Sequence, residues 1–265
     1  MHLKFALVAC CALSLGALPS HPVRAAEDPQ SHRLGQATEV LEAFSAIPEN
    51  AIPPALLERA HGVAVIPAVI KVGFVVGARR GRGVLVVRQA DGSWSNPAFI
   101  TLTGGSLGWQ IGGQSTDVVL VFKSSRSVEG ITSGKFTLGV DAAAAAGPVG
   151  RQTAAATDIT FGAEVYSYSR SRGLFLGVSL DGAAIQIDTQ AARDFYRNDA
   201  ITADDILGDP SLRTPPAAQG FLDKLTTMAP RGRASQAPMR PNNEIAEDDA
   251  TEAEDEARIF AIDDF

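Results

Sequence analysis

The side chains of this sequence best suited to holding a ligand are arginines in two clusters: Arg79, Arg80 and Arg82 in ARRGRG, and Arg170 and Arg172 in SRSRG. A guanidinium offers a planar fork of donors that matches phosphate or carboxylate oxygens, so converging clusters would hold an anionic group. Arginines at two hairpin tips would serve equally as solubilising surface, and that reading stays open. The familiar catalytic patterns fail on context. Gly104-Gly105-Ser106-Leu107-Gly108 matches G-x-S-x-G, but that nucleophile needs a following helix and a later histidine, and no histidine follows His61. Gly130 to Lys135 imitates a phosphate loop, yet it is one residue short and continues into Phe136. Asp204 and Asp205 fall on an expected solvated surface, which leaves acid–base chemistry without support. Beyond the first 26 residues only His32 and His61 remain as soft donors, and no cysteine, so neither metal nor other cofactor is expected. The expectation is a protein that binds and does not catalyse.

The elements that must position these arginines read as short strands. Residues 62–122 are dominated by Val, Ile and Phe and punctuated by Gly, Pro, Asn and Asp at regular intervals. Strands are expected at 72–78 and 84–88 around a tight turn at 79–83, which would put three arginines at a hairpin tip. Further strands are expected at 94–102, 107–111 and 117–122, with Asp91-Gly92-Ser93 as a turn and a short helix at 124–131. The alanine run at 141–146 reads as a strand of small residues, 160–168, 174–180 and 185–188 as strands, and 190–196 as a closing helix. The fold class is α+β and β-dominated: a single glycine-rich, mostly antiparallel sheet or barrel-like domain with short flanking helices.

Ahead of the strands, Leu34, Ala37, Leu41 and Phe44 recur at helical spacing, giving an amphipathic helix that either docks on the core or faces a membrane. A second, shorter helix is expected over 50–59, with Pro53 and Pro54 in its first turn and Leu56 and Leu57 following. The N-terminus has Lys4, an apolar run at 5–18 and Val23-Arg24-Ala25, the layout of a cleaved secretory signal over 1–26. Leu7-Val8-Ala9-Cys10 resembles a lipoprotein box after a short apolar run. The chain is therefore expected to be exported to the periplasm or cell envelope. Residues 27–50 form the amphipathic region, 51–198 the β domain, and 199–265 a proline-rich acidic tail expected to be largely disordered. Charge divides the same way: about −2 for residues 1–57, +4 for 58–197 and −9 for 198–265. An acidic tail and a small core excess disfavour nucleic acid. Two apolar islands in the tail, Phe221-Leu222-Leu225-Met228 and Ile259-Phe260-Ile262-Phe265, are candidates for a protein partner or for the chain's own core.

An ordered set of blocks resembles one known family. Lys71-Val72-Gly73-Phe74, Gly81-Arg82-Gly83-Val84, Asp91-Gly92-Ser93-Trp94-Ser95 and Gln110-Ile111-Gly112-Gly113 are followed by Ala145-Ala146-Gly147-Pro148-Val149-Gly150-Arg151. The stretch from Tyr168 to Gly182 and Phe195-Tyr196 completes the set. Together they are similar to the SYLF domain, also called the Ysc-type actin-binding or lipid-binding domain, over about 51–196. The resemblance implies a non-enzymatic module that binds anionic phospholipid, phosphoinositides in intracellular relatives, with actin bound by some. The resemblance and the cationic turns together make Lys71, Arg79, Arg80, Arg82, Arg151, Arg170 and Arg172 the candidates for headgroups, with Leu41 and Phe44 for acyl chains. Two features depart from it. Glu39 and Glu42 stand where a basic helix face would grip an anionic surface, and export would separate the chain from actin and phosphoinositides. Phospholipid of the envelope is the expected partner, with a scaffold that recruits proteins through its tail as the alternative.

Overall fold

The computed structural model describes residues 28–47, 51–147, 162–171, 174–176 and 180–230, with side chains described except at 73–76, 106–113 and 174–176. The expectations for the leader, Cys10, Arg151, Arg172 and the acidic run at 244–256 lie outside the described residues. Two helices come first, α1 (Pro29–Ala46) and α2 (Pro54–Glu58), and then two long strands, β1 (Gly62–Val87) and β2 (Ala98–Phe122). These are followed by α3 (Ser125–Thr132), β3 (Lys135–Thr137), β4 (Ala144–Ala146), β5 (Val165–Ser171), β6 (Leu174–Leu176) and β7 (Ala184–Ile187). Three helices close the fold: α4 (Thr189–Tyr196), α5 (Ala203–Gly208) and α6 (Pro216–Met228).

Among the described residues the strands form one seven-stranded sheet, antiparallel except where β4 runs parallel to β5. The α+β, mostly antiparallel class expected from sequence is the one observed. Its backbone is the β1–β2 ribbon, paired from Gly62↔Phe122 to Leu85↔Ala98. β2 carries β5 beside Asp117–Phe122 and β7 beside Ile100–Thr103 on its other edge.

The principal correction concerns the glycines. The tight turn expected at 79–83 does not exist: Arg79, Gly81 and Arg82 sit inside β1, opposite Gly104, Leu102 and Thr101. The five short strands expected between 72 and 122 are two strands joined through the loop at 88–97. There Gly92, at φ 80°, makes the turn that its sequence predicts, donating its N–H to the Gln89 carbonyl at 2.9 Å. Gly81 and Gly83 serve close approach instead of turning. A Cβ on Gly81 would lie 2.7 Å from Ile66 Cγ2 and 2.8 Å from Val69 Cγ2, and one on Gly83 would strike the Val65 carbonyl and lie 2.8 Å from Ile66 Cα. The first half of β1 therefore crosses over its second half, and the Arg88 N–H reaches the His61 carbonyl at 2.8 Å to close the crossing.

Inside this folded ribbon Val63, Val65, Leu85, Phe99, Leu120 and Phe122 are fully buried. α1 packs against β1 and α6. Its apolar stripe of Leu34, Ala37, Leu41 and Phe44 lies in the core, which selects docking over a membrane-facing role. A second correction concerns residues 199–230, expected to be largely disordered; of the two readings of Phe221 to Met228, packing on the chain's own core is the one observed. α5 begins on a capping box between Thr202 and Asp205, and α6 buries Phe221 and Leu225. Gln89, Asn96 and Arg88 donate to the carbonyls of Leu207, Leu212 and Ala229, pinning this segment along its length.

Candidate anion-binding cleft

The crossing of β1 over itself creates a cleft with the expected chemistry. Pro67 and Ala68 interrupt the ladder with a bulge, and Ala68 sits at φ 47°, unusual for a residue with a Cβ. Asp117 Oδ1 accepts the freed Ala68 N–H at 3.0 Å. Past the bulge the strand is re-aimed so that Ile70 and Val72 stand out from the sheet, 54% and 52% exposed. The returning half of β1 brings Arg79, Arg80 and Arg82 alongside, and the first turns of α1 add Pro29, Arg33 and Gln36. The resulting open cleft encloses about 670 Å³. One wall is aliphatic and the other cationic.

The arginines differ in state. Arg80 and Arg82 alternate with Gly81 and are exposed. Arg79 is half-buried on the opposite pleat, where burial lowers its pKa and the charge of Asp181 offsets part of that effect. Arg33 is buried at 8% exposure, bonds Asp188 Oδ2 at 3.3 Å and stacks 5.2 Å above the Phe99 ring. Burial lowers its pKa also, against the pull of Asp188. Since Asp188 caps α4 through the Ala191 N–H, Arg33 ties α1 to the start of that helix while its position at the cleft floor is fixed.

Of the residues expected from sequence, the structure brings together Arg79, Arg80 and Arg82. Lys71 lies between Ile70 and Val72, so the strand pleat turns it to the other face. Arg170 stands elsewhere, on β5 opposite Asp117, with Nη1 3.9 Å from Asp117 Oδ2. The convergence of the two clusters, left open by the sequence, is not made by Arg170, which does not line the cleft. Leu41 and Phe44, expected to face acyl chains, are each 1% exposed in the core and are unavailable to lipid in this structure. The sequence reading missed Ile70, Val72 and Arg33. Their signal was present only as Ile-Lys-Val in a strand pattern and a lone arginine before a helix, and it is the crossing that makes a site of them. The two false motifs also resolve: 104–108 runs through β2 as strand, and Gly130 lies inside α3. Among the described residues no cluster of metal-ligating side chains occurs, and no helix is long and apolar enough to cross a membrane.

The architecture and cleft define a class: a mostly antiparallel sheet folded around a crossed two-stranded ribbon, with a cationic, part-apolar groove. The particular family follows from comparison with known proteins. Residues 103–228 match the family described as "Ysc84: Las17-binding protein actin regulator", and the chain belongs to this Ysc84 (SYLF) family. It is 40% identical over 184 residues to Protein YSC84 of Saccharomyces cerevisiae, covering 68% of this chain and 39% of that protein. LAS seventeen-binding protein 3 of the same yeast is 39% identical over 184 residues, 68% of this chain and 39% of that one. SH3 domain-containing YSC84-like protein 1 of Homo sapiens is 37% identical over 202 residues, 72% of this chain and 58% of its own. The chain thus spans well under two thirds of the length of these relatives.

Proposed function

We propose that this protein is a non-enzymatic module that binds anionic membrane phospholipid through the cleft on β1, after export to the cell envelope. The observation that carries the reading is the convergence of exposed Arg80 and Arg82 with half-exposed Ile70 and Val72. Guanidinium groups suit a phosphate-bearing headgroup, and aliphatic side chains held in water beside them suit the first methylenes of an acyl chain. Leu41 and Phe44 have no part in this version of the site. The N-terminal pattern of Lys4 and the apolar run supports export. A second reading, protein recruitment, is favoured by the relative whose name states that it binds LAS seventeen.

Flotation with vesicles of phosphatidylglycerol in phosphatidylcholine, against phosphatidylcholine alone, tests the first reading. Binding should require the anionic lipid, weaken with salt, and fall on the order of tenfold or more in Arg80→Ala/Arg82→Ala, since each charge near an anionic surface contributes about 1 kcal/mol. Ile70→Ser/Val72→Ser should weaken binding at all salt concentrations. Binding indifferent to lipid charge and to both pairs would remove the cleft from the function.

A further inference from the structure

The described fold ends at Pro230, and the 35 residues that follow have a composition matched to the cleft. Residues 244–256 carry eight carboxylates and no basic residue, and after Ala257 and a single arginine, Arg258, come Ile259, Phe260, Ile262 and Phe265. The cleft presents the complementary pair in the same compass, Arg80 and Arg82 beside Ile70 and Val72. We propose that residues 244–265 occupy this cleft in cis, the carboxylates on the arginines and the aromatic end on the aliphatic wall, so that the chain carries its own competitor for an anionic ligand.

Reach supports the assignment. Ala229 is fixed next to the base of β1, its carbonyl accepting from Arg88 Nη1 at 3.3 Å. Arg88 follows β1 directly, and Arg82 is six residues back along the strand, at most about 20 Å away. Thirteen residues, 231–243, separate Pro230 from Glu244. A stretch of that length spans up to about 43 Å when fully extended, about twice the gap, so it is long enough to reach. A tether long enough to reach holds the segment at an effective concentration on the order of millimolar, so weak contacts suffice to keep the cleft filled. The core's cationic excess of about +4 against a tail of −9 acts in the same direction, and salt would screen it. The reach and charge argument does not need the cleft's external ligand to be a lipid; the competition it implies does rest on that reading.

Two experiments on the full chain separate the two ideas. With p-benzoylphenylalanine in place of Phe260, irradiation should link the tail to peptides spanning residues 67–82 of the same molecule. The link should be lost in Arg80→Ala/Arg82→Ala and reduced in about 0.5 M salt. Links to another face of the fold, links joining two chains in a mixture of isotopically light and heavy protein, or no link at all, would each overturn the proposal. In flotation, replacing the eight acidic residues of 244–256 by Asn and Gln should tighten binding to phosphatidylglycerol vesicles. A tail seated nine-tenths of the time weakens apparent affinity tenfold, so a gain of about tenfold is expected. The intramolecular link without that gain would support the seated tail and count against lipid as the cleft's ligand.

Discussion

Gly83→Ala puts the crossing of β1 to a direct test. The added methyl would meet backbone, the Val65 carbonyl and Ile66 Cα at 2.8 Å, so no change of rotamer relieves it. The two halves of β1 would have to separate by several tenths of an ångström along the line where Ile66 and Val69 also cover Gly81. Overpacking of this kind costs about 1–3 kcal/mol, and for a domain of this size each kcal/mol moves the melting midpoint by about 2–4 °C. A fall of roughly 2–12 °C is therefore expected, with an earlier urea midpoint at unchanged slope. Gly105→Ala is the matched control: it lies in β2 opposite Ala78, has open space where its methyl would go, and should stay within about 0.5 kcal/mol of the parent. Any entropic gain from removing a glycine from the unfolded chain applies to both and cancels in the comparison. Equal unfolding midpoints for the two variants would refute the crossing, and with it the account of how the cleft wall is built.

Other consequences can be checked alongside. Phe221→Ala removes a ring that is 1% exposed in α6 and should cost about 3–5 kcal/mol in urea unfolding; a neutral result would return residues 199–230 to the disordered tail. The Tyr168 hydroxyl is buried, with its pKa pushed up by desolvation, and makes no hydrogen bond among the described residues. Tyr168→Phe should therefore be neutral or stabilising by about 1 kcal/mol, and a clear loss would mean that the hydroxyl is bonded. The Asp205 carboxylate is held below its ordinary 3.8 by the hydroxyl and N–H of Thr202. A depressed folded-state value adds stability above the unfolded value, and that stability is lost as pH falls through the folded one. Asp205→Asn should flatten the acid limb of stability below about pH 4, and an unchanged limb would place the acid sensitivity elsewhere.

What was legible in the sequence was whatever depends on short-range pattern. The stripe of Leu34, Ala37, Leu41 and Phe44, the Asp91-Gly92 turn, the helix after Phe122 and the small-residue strand at 144–146 all appear where spacing and composition put them. The β1–β2 ribbon is not legible in the sequence because a glycine reports only that a side chain is missing. It does not say whether the backbone turns or a neighbour comes close. At Gly81 and Gly83 the neighbour is Ile66, fifteen and seventeen residues earlier, and no local window holds that information. The order of 199–230 outside Phe221 to Met228 is illegible for a related reason. Proline and charge dilute 199–230, and the burial that orders it is supplied by α1 and the β1–β2 loop instead of by its own sequence.

The same crossing explains why the arginines could be found while the site could not. Arg79, Arg80 and Arg82 are adjacent in sequence, so their cluster survives any error in the fold. Ile70 and Val72 join them only because the strand doubles back. This separation has an energetic corollary. Half-exposed aliphatic side chains contribute little to the core, and residues held for binding rather than folding are commonly replaced at no cost to stability. Ile70→Ser/Val72→Ser should therefore unfold within about 0.5 kcal/mol of the parent while losing vesicle binding. Gly83→Ala should lose stability, and should lose binding only insofar as residues 67–72 shift. If instead Ile70→Ser/Val72→Ser destabilises the fold by as much as Gly83→Ala, those side chains are core residues of β1 and the aliphatic wall is not a binding surface.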